Sequence, residues 1–194
     1  MSIFEDFTAG KIVLTGSASA GGGTNANVAG LSVVHKVVGP LVQSVFTLDN
    51  VAQAVVNGTE YQSTKLYDFP QGRIFVLGAV CSIAQKTTSA LASTLNASST
   101  GALGFGTTTS TSTTLATTVQ DLIPTTAFTS SATINVAGTA ATAALAAAAQ
   151  FDGTTTAKSI FVSTAYATTT DVDADATQTL TGTFTITWIN LGDY

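Results

Sequence analysis

Residues Gln178 to Asn190 read Q-T-L-T-G-T-F-T-I-T-W-I-N, and the reading of this stretch decides the fold. Leu180, Phe184, Ile186 and Trp188 fall on one parity, and Thr181, Thr183, Thr185 and Thr187 on the other. Side chains along a strand point alternately to opposite faces, so the stretch has one apolar face and one threonine face. Thr, Phe, Ile and Trp all suit a pleated, half-buried surface. The pattern predicts a long antiparallel strand whose Phe184/Ile186/Trp188 face closes a core. Trp188 is the single tryptophan, and burying it removes a large apolar area from water.

Working outward, most of the chain reads as strands. L-S-V-V-H-K-V-V from Leu31 is β-branched and ends at the turn pair Gly39-Pro40. Leu41 to Leu48 predicts a second strand, with Asp49-Asn50 as a turn before Val51 to Val56. Asn57-Gly58 is a hairpin signal, because both positions tolerate positive φ, and Tyr61 to Tyr67 would return from it. Asp68 to Gly72 is a tight turn. Arg73 to Ala84 is the most apolar run and lacks clean alternation. This predicts a central strand covered on both faces, with a neighbouring subunit as one candidate cover. Ala102 to Thr107 places Leu103 and Phe105 between glycines, as in a strand approached closely by another backbone.

Thr114 to Ile123 is the one short helix candidate. Thr113 or Thr114 caps it, Leu115, Val119 and Leu122 share a face, and Pro124 stops it. A strand is predicted over Phe128 to Val136, and the alanine-rich 137–149 reads equally as helix or surface loop. Asp152-Gly153 predicts a turn. Lys158 to Ala167 and 178–190 are predicted to form a hairpin joined by a long acidic loop. Residues 1–30 read as an extended arm with apolar anchors Ile3, Phe4 and Phe7 and one short strand near Lys11 to Leu14. Residues 31–194 read as a single all-β domain, an antiparallel β-sandwich with at most one short helix.

Only 9% of the 194 residues are charged, against roughly 25% in an average soluble domain. Thr and Ser supply the missing polarity with hydroxyls. So few charges defend a surface poorly against association, which points to a protein that lives packed against partners. The net charge is −5, and the six basic residues are scattered, so no patch exists to neutralise phosphates and nucleic-acid binding is not expected. A lone Cys81 excludes an internal disulfide and reads as a small core residue. The start M-S-I-F-E-D-F has no signal-peptide pattern, and no stretch is apolar enough to span a membrane. Both features predict a soluble product made in a cytoplasm.

Catalytic chemistry finds no motif. His35, the only histidine, and Cys81, the only thiol, fall on different strands. His35 within V-V-H-K-V-V reads as a solvent-side strand residue. No G-x-S-x-G elbow selects a serine, and no pair of carboxylates stands out for glycoside hydrolysis. Asp171, Asp173 and Asp175 have alternate-carboxylate spacing suited to Ca²⁺, but Ala176 and Gly182 stand where an EF-hand loop needs Gly and Glu. The favoured reading is a solvated hairpin tip. The chain is read as a non-enzyme without cofactor or metal.

The segments Tyr67-Asp-Phe-Pro-Gln-Gly-Arg-Ile-Phe-Val-Leu-Gly-Ala-Val80, Phe151-Asp-Gly-Thr-Thr-Thr-Ala-Lys-Ser-Ile-Phe161 and Thr187-Trp-Ile-Asn-Leu-Gly192 resemble small structural proteins of tailed bacteriophages. Those proteins are encoded near the major capsid protein, and some look like capsid decoration, or cement, proteins. The resemblance covers residues 60–85, 100–124 and 151–194 and carries no catalytic residue. It implies a jelly-roll-like β-sandwich on the outside of a phage head, as a homodimer or homotrimer bridging copies of the major capsid protein. Two other classes stay open: a tail or fibre component with receptor-binding loops, and a carbohydrate-binding or hydrolytic β-sandwich. Sugar platforms want exposed aromatics, whereas the one Trp here falls on a core parity.

Overall fold

The 178–190 stretch lies within β13 (Ala176–Asn190), flanked by β5 (Leu41–Val55) on one side and β7 (Gly72–Thr87) on the other. Its Leu180, Phe184, Ile186 and Trp188 are all fully buried. The computed structural model describes residues 5–6, 11–15, 23–87, 100–129, 131, 136–166, 172 and 175–192. The other strands are β1 (Glu5–Asp6), β2 (Lys11–Thr15), β3 (Thr24–Asn25), β4 (Leu31–Val38), β6 (Tyr61–Asp68), β8 (Thr100–Gly106), β9 (Ile123–Thr129), β10 (Ala141–Ala144), β11 (Ala149–Gly153) and β12 (Ser159–Tyr166).

Two antiparallel sheets face each other. The larger has eight strands in the order β1-β2-β4-β5-β13-β7, with β10 and β11 one after the other along the far edge of β7. The smaller runs β3-β6-β12-β8-β9. The chain doubles back on itself between β8 and β9, so β8 pairs β9, β7 pairs β10 and β11, β6 pairs β12, and β5 pairs β13. This two-stranded ribbon alternates between the sheets at each step and closes through the β13–β7 and β12–β8 ladders. An all-β sandwich with this winding is a jelly roll.

Several local expectations are corrected. Asp49-Asn50 does not turn the chain. The two residues oppose Thr181 alone as a bulge, with Asn50 at φ 57, and β5 continues through. Burial therefore switches from Val42, Ser44, Phe46 and Leu48 to Val51, Gln53 and Val55. In β7 the pairing skips Leu77 between Thr187↔Gly78 and Trp188↔Val76, and burial likewise switches from Ile74 and Val76 to Ala79, Cys81 and Ile83. The broken alternation of 73–84 thus reflects a parity change, not two covered faces; Leu77 and Val80 are exposed.

Asn57-Gly58 does turn the chain, with Gly58 at φ 81, but it carries the chain from one sheet to the other. For the same reason β12 and β13 are not a hairpin: β12 lies between β6 and β8. The 114–123 helix is a single 3-10 turn at Thr117–Val119. Its backbone is instead held by the residues that follow β8, where Thr107 and Thr108 N–H both donate to Thr118 O. A Cβ on Gly106 would meet Thr118 O at 2.2 Å, the close approach that the glycines of β8 predicted. Pro124 lies in β9, an edge strand, where a missing N–H is tolerated.

Within the predicted 128–136 strand, β9 supplies only its start, and residues 130 and 132–135 lie outside the described residues. Within the alanine-rich 137–149, Ala141–Ala144 form β10 and Ala149 opens β11, while 137–140 and 145–148 are loop and no helix forms. Helix preference is worth at most about 0.7 kcal/mol per ordinary residue, less than pairing with β7 and burying Ala141 supply together. Asp152-Gly153 closes β11, and the turn follows it, where Asp152 accepts from Thr154 N–H and Oγ1–H.

Candidate interaction surface

The outward parities of β4, β5, β13 and β7, with β10 and β11 at the edge, line up as rows across the larger sheet. One row is Val34, Val45, Thr185, Val80 and Ala144. The next is Lys36, Gln43, Thr187 and Gly78, and the third is Val38, Leu41, Ile189, Phe75 and Gln150. Above them lies a hydroxyl row: Ser32, Thr47, Thr183, Ser82 and Thr142. Lys36 is the only charged residue in these four rows. Val38 is 61% exposed, Val80 53% and Leu77 44%, so apolar side chains stand in water on this face. Two open depressions meet on it. Lys36, Val38 and Leu41 line one, Gly78, Val80, Ala144 and Leu145 the other, and Gln43 and Thr187 line both.

The threonine parity of 178–190 fixes the middle of this face. Its hydroxyls satisfy water when bare and lose little hydration when covered, unlike charges. Val38 on β4 and Leu77 and Val80 on β7 are exposed apolar side chains at opposite sides of this face, with Gln43 and Thr187 between them.

Ile3, Phe4 and Phe7 are outside the described residues, as are Asp171 and Asp173. Asp175 is exposed and accepts the Asn57 N–H at 2.9 Å, holding the 57–58 turn. Among the described residues no group of three His, Cys, Asp or Glu could hold a metal ion. Cys81 is a buried free thiol, pushed upward in pKa by burial.

His35 is a correction. It is fully buried, on the same inward parity as Val33, and burial lowers its pKa. Apolar residues on both parities of V-V-H-K-V-V concealed the direction. Its Nδ1 lies 2.8 Å from Ser44 Oγ and its Nε2 3.1 Å from Asn25 Oδ1. The three side chains resemble a hydrolase arrangement, but Ser44 is fully buried as well, and its Oγ receives the Trp188 indole N–H at 3.0 Å.

Sequence reasoning missed a polar cluster inside the sandwich. Gln178 Nε2 donates to Gln53 Oε1 at 3.0 Å and to Thr164 Oγ1 at 2.7 Å. Thr164 Oγ1 donates to Gln53 Oε1, Gln53 Nε2 donates to Thr64 Oγ1, and Tyr166 O–H donates to Gln178 Oε1. Gln178 shares the parity of Leu180 and Phe184, which was the available signal.

No family model matches the chain, and neither a curated protein nor a solved structure does.

Proposed function

We propose that this chain is a structural virion protein, a decoration or cement subunit that binds the outside of a tailed-phage head and stabilises it by bridging copies of the major capsid protein. The observation that carries this reading is the band of four outward rows on the larger sheet, in which Lys36 is the single charge, with Arg73 and Lys86 of β7 lying beyond its two ends. Burying such a face against a capsid protein avoids most of the desolvation that charges impose, and it matches the charge-depleted centre of protein interfaces. The jelly roll suits the role, being a fold shared by viral capsid proteins and lectins. Ile3, Phe4 and Phe7 are assigned as further anchors on a neighbouring subunit. Many copies, as dimers or trimers on a symmetric shell, raise one another's effective concentration. The product is made in the host cytoplasm and resides on the capsid surface.

The test is attachment to purified heads. Val80→Asp and a deletion of residues 2–9 should each lower occupancy while leaving the sandwich folded. Full occupancy and unchanged heat resistance of the heads with both variants would remove the face and the arm from the reading.

A further inference from the structure

We propose that His35 is the pin of an acid-sensitive latch that fastens β3 onto the sandwich. His35 stands on β4 in the larger sheet and Asn25 on β3 in the smaller, so their hydrogen bond ties one sheet to the other. Asn25 Oδ1 can only accept, so His35 Nε2 carries the proton. Nδ1 is then the acceptor for the Ser44 hydroxyl, and Ser44 Oγ accepts the Trp188 N–H. Each hydrogen is used once, in the order Trp188 to Ser44 to His35 to Asn25, and only a neutral imidazole completes the chain. A protonated ring would direct a second N–H at Ser44 Oγ and displace the Ser44 hydrogen.

Among the described residues, the groups around the ring offer no compensating anion. The Tyr67 ring lies 5.3 Å away, and burial, with Asp68 nearby, holds its phenol far above the neutral range. Asn25, Ser44 and Trp188 are uncharged. On β6 the Asp68 carboxylate already accepts from Ser159 and Lys65. Lys36, next on β4, takes the outward parity, and from β2 the register partner of His35 is Leu14. Proton uptake therefore favours a state in which His35 reaches water.

The element that yields most readily is β3. Two register pairs and the Ala26 N–H to Leu66 O bond hold it to β6, whereas eight register pairs join β4 to β5. The backbone at Gly23 presses on Tyr67, since a Cβ there would meet the phenol oxygen at 2.0 Å. That hydroxyl is buried without a hydrogen-bond partner, so lifting β3 hydrates two groups at once. The latch is closed above the ordinary imidazole range and weakens as the pH falls below it, because the folded pKa is depressed. It rests on the packing of the sandwich and not on the proposed role in the virion.

Hydrogen exchange read together with the His35 imidazole resonance tests it. Between about pH 7 and about pH 5, protection of the Ala26 amide, corrected for intrinsic rate, should fall by up to about tenfold per pH unit. The fall should begin in the ordinary imidazole range and run ahead of the ring's own titration, which the depressed pKa places at lower pH, while amides of β5 and β13 keep their protection. In His35→Gln that pH dependence should vanish. Should that variant fail to fold, Asn25→Ala replaces it, with Ala26 poorly protected at every pH. Unchanged Ala26 protection, loss in parallel with β5 and β13, or pH dependence that survives His35→Gln or Asn25→Ala would overturn the latch.

Discussion

At the Trp188 end of β5 and β13 the core is a stack of rings, whereas at the Gln178 end of the same two strands it is a chain of amides and hydroxyls. Phe105 and Phe184 stack with centroids 4.2 Å apart, and Phe69 meets Trp188 edge-on at 5.2 Å. At the other end Gln53, Gln178, Thr164 and Tyr166 exchange hydrogen bonds at 2.7 to 3.0 Å. The ring end draws its stability from area, which tolerates small shifts of geometry. The amide end depends on each donor meeting its acceptor, because a buried group left unpaired loses its full hydration.

The largest effect should come from breaking the ring end. Trp188→Ala removes the biggest buried side chain and should cost about 3–5 kcal/mol, read from the shift in denaturant midpoint. An unchanged midpoint would place Trp188 outside the core.

Breaking the amide end should cost less and couple more. Gln178→Leu removes the acceptor of the Tyr166 O–H and one of the two donors to Gln53 Oε1, for a loss of about 1–3 kcal/mol. A double-mutant cycle of Gln53→Leu and Gln178→Leu should show coupling of about 0.5–3 kcal/mol. Strict additivity would mean that the two glutamines do not act as one network.

Smallest in stability is the outer face. Val80→Asp should move the unfolding free energy by about 0.5 kcal/mol or less, since Val80 stands half in water. The same change should nevertheless lower attachment to heads. Cys81, one residue on and facing inward, should resist alkylation at neutral pH until the protein unfolds, because burial raises its pKa and blocks access. Rapid labelling of the native thiol would show β7 opening locally.

What was legible in the sequence follows from these same physical differences. Period-two alternation identified β13, and with it the core face and the sandwich, because Leu180, Phe184, Ile186 and Trp188 run without interruption of parity. It failed at β5 and β7, where bulges at Asp49-Asn50 and Leu77 switch the parity and made one continuous strand look like two and a one-sided strand look two-sided. Turn chemistry located Asn57-Gly58 but carried no information on which sheet receives the next strand. Local propensity failed at Ala141–Ala144, where pairing with β7 prevails over alanine's preference for helix. The outer face was half visible, as the threonine parity of β13. Its valines on β4, β5 and β7 become neighbours only through long-range register. His35 went inward for a reason no local pattern shows: Ser44 lies directly opposite it, and Asn25 reaches it from the other sheet.

An image of intact phage heads carrying this chain tests the proposed role most directly. The account predicts a jelly roll on the outside of the shell, the eight-stranded sheet turned toward the capsid proteins, with Val38 and Val80 at the contact. Particles free of the chain, or a jelly roll with that sheet facing solvent, would contradict it.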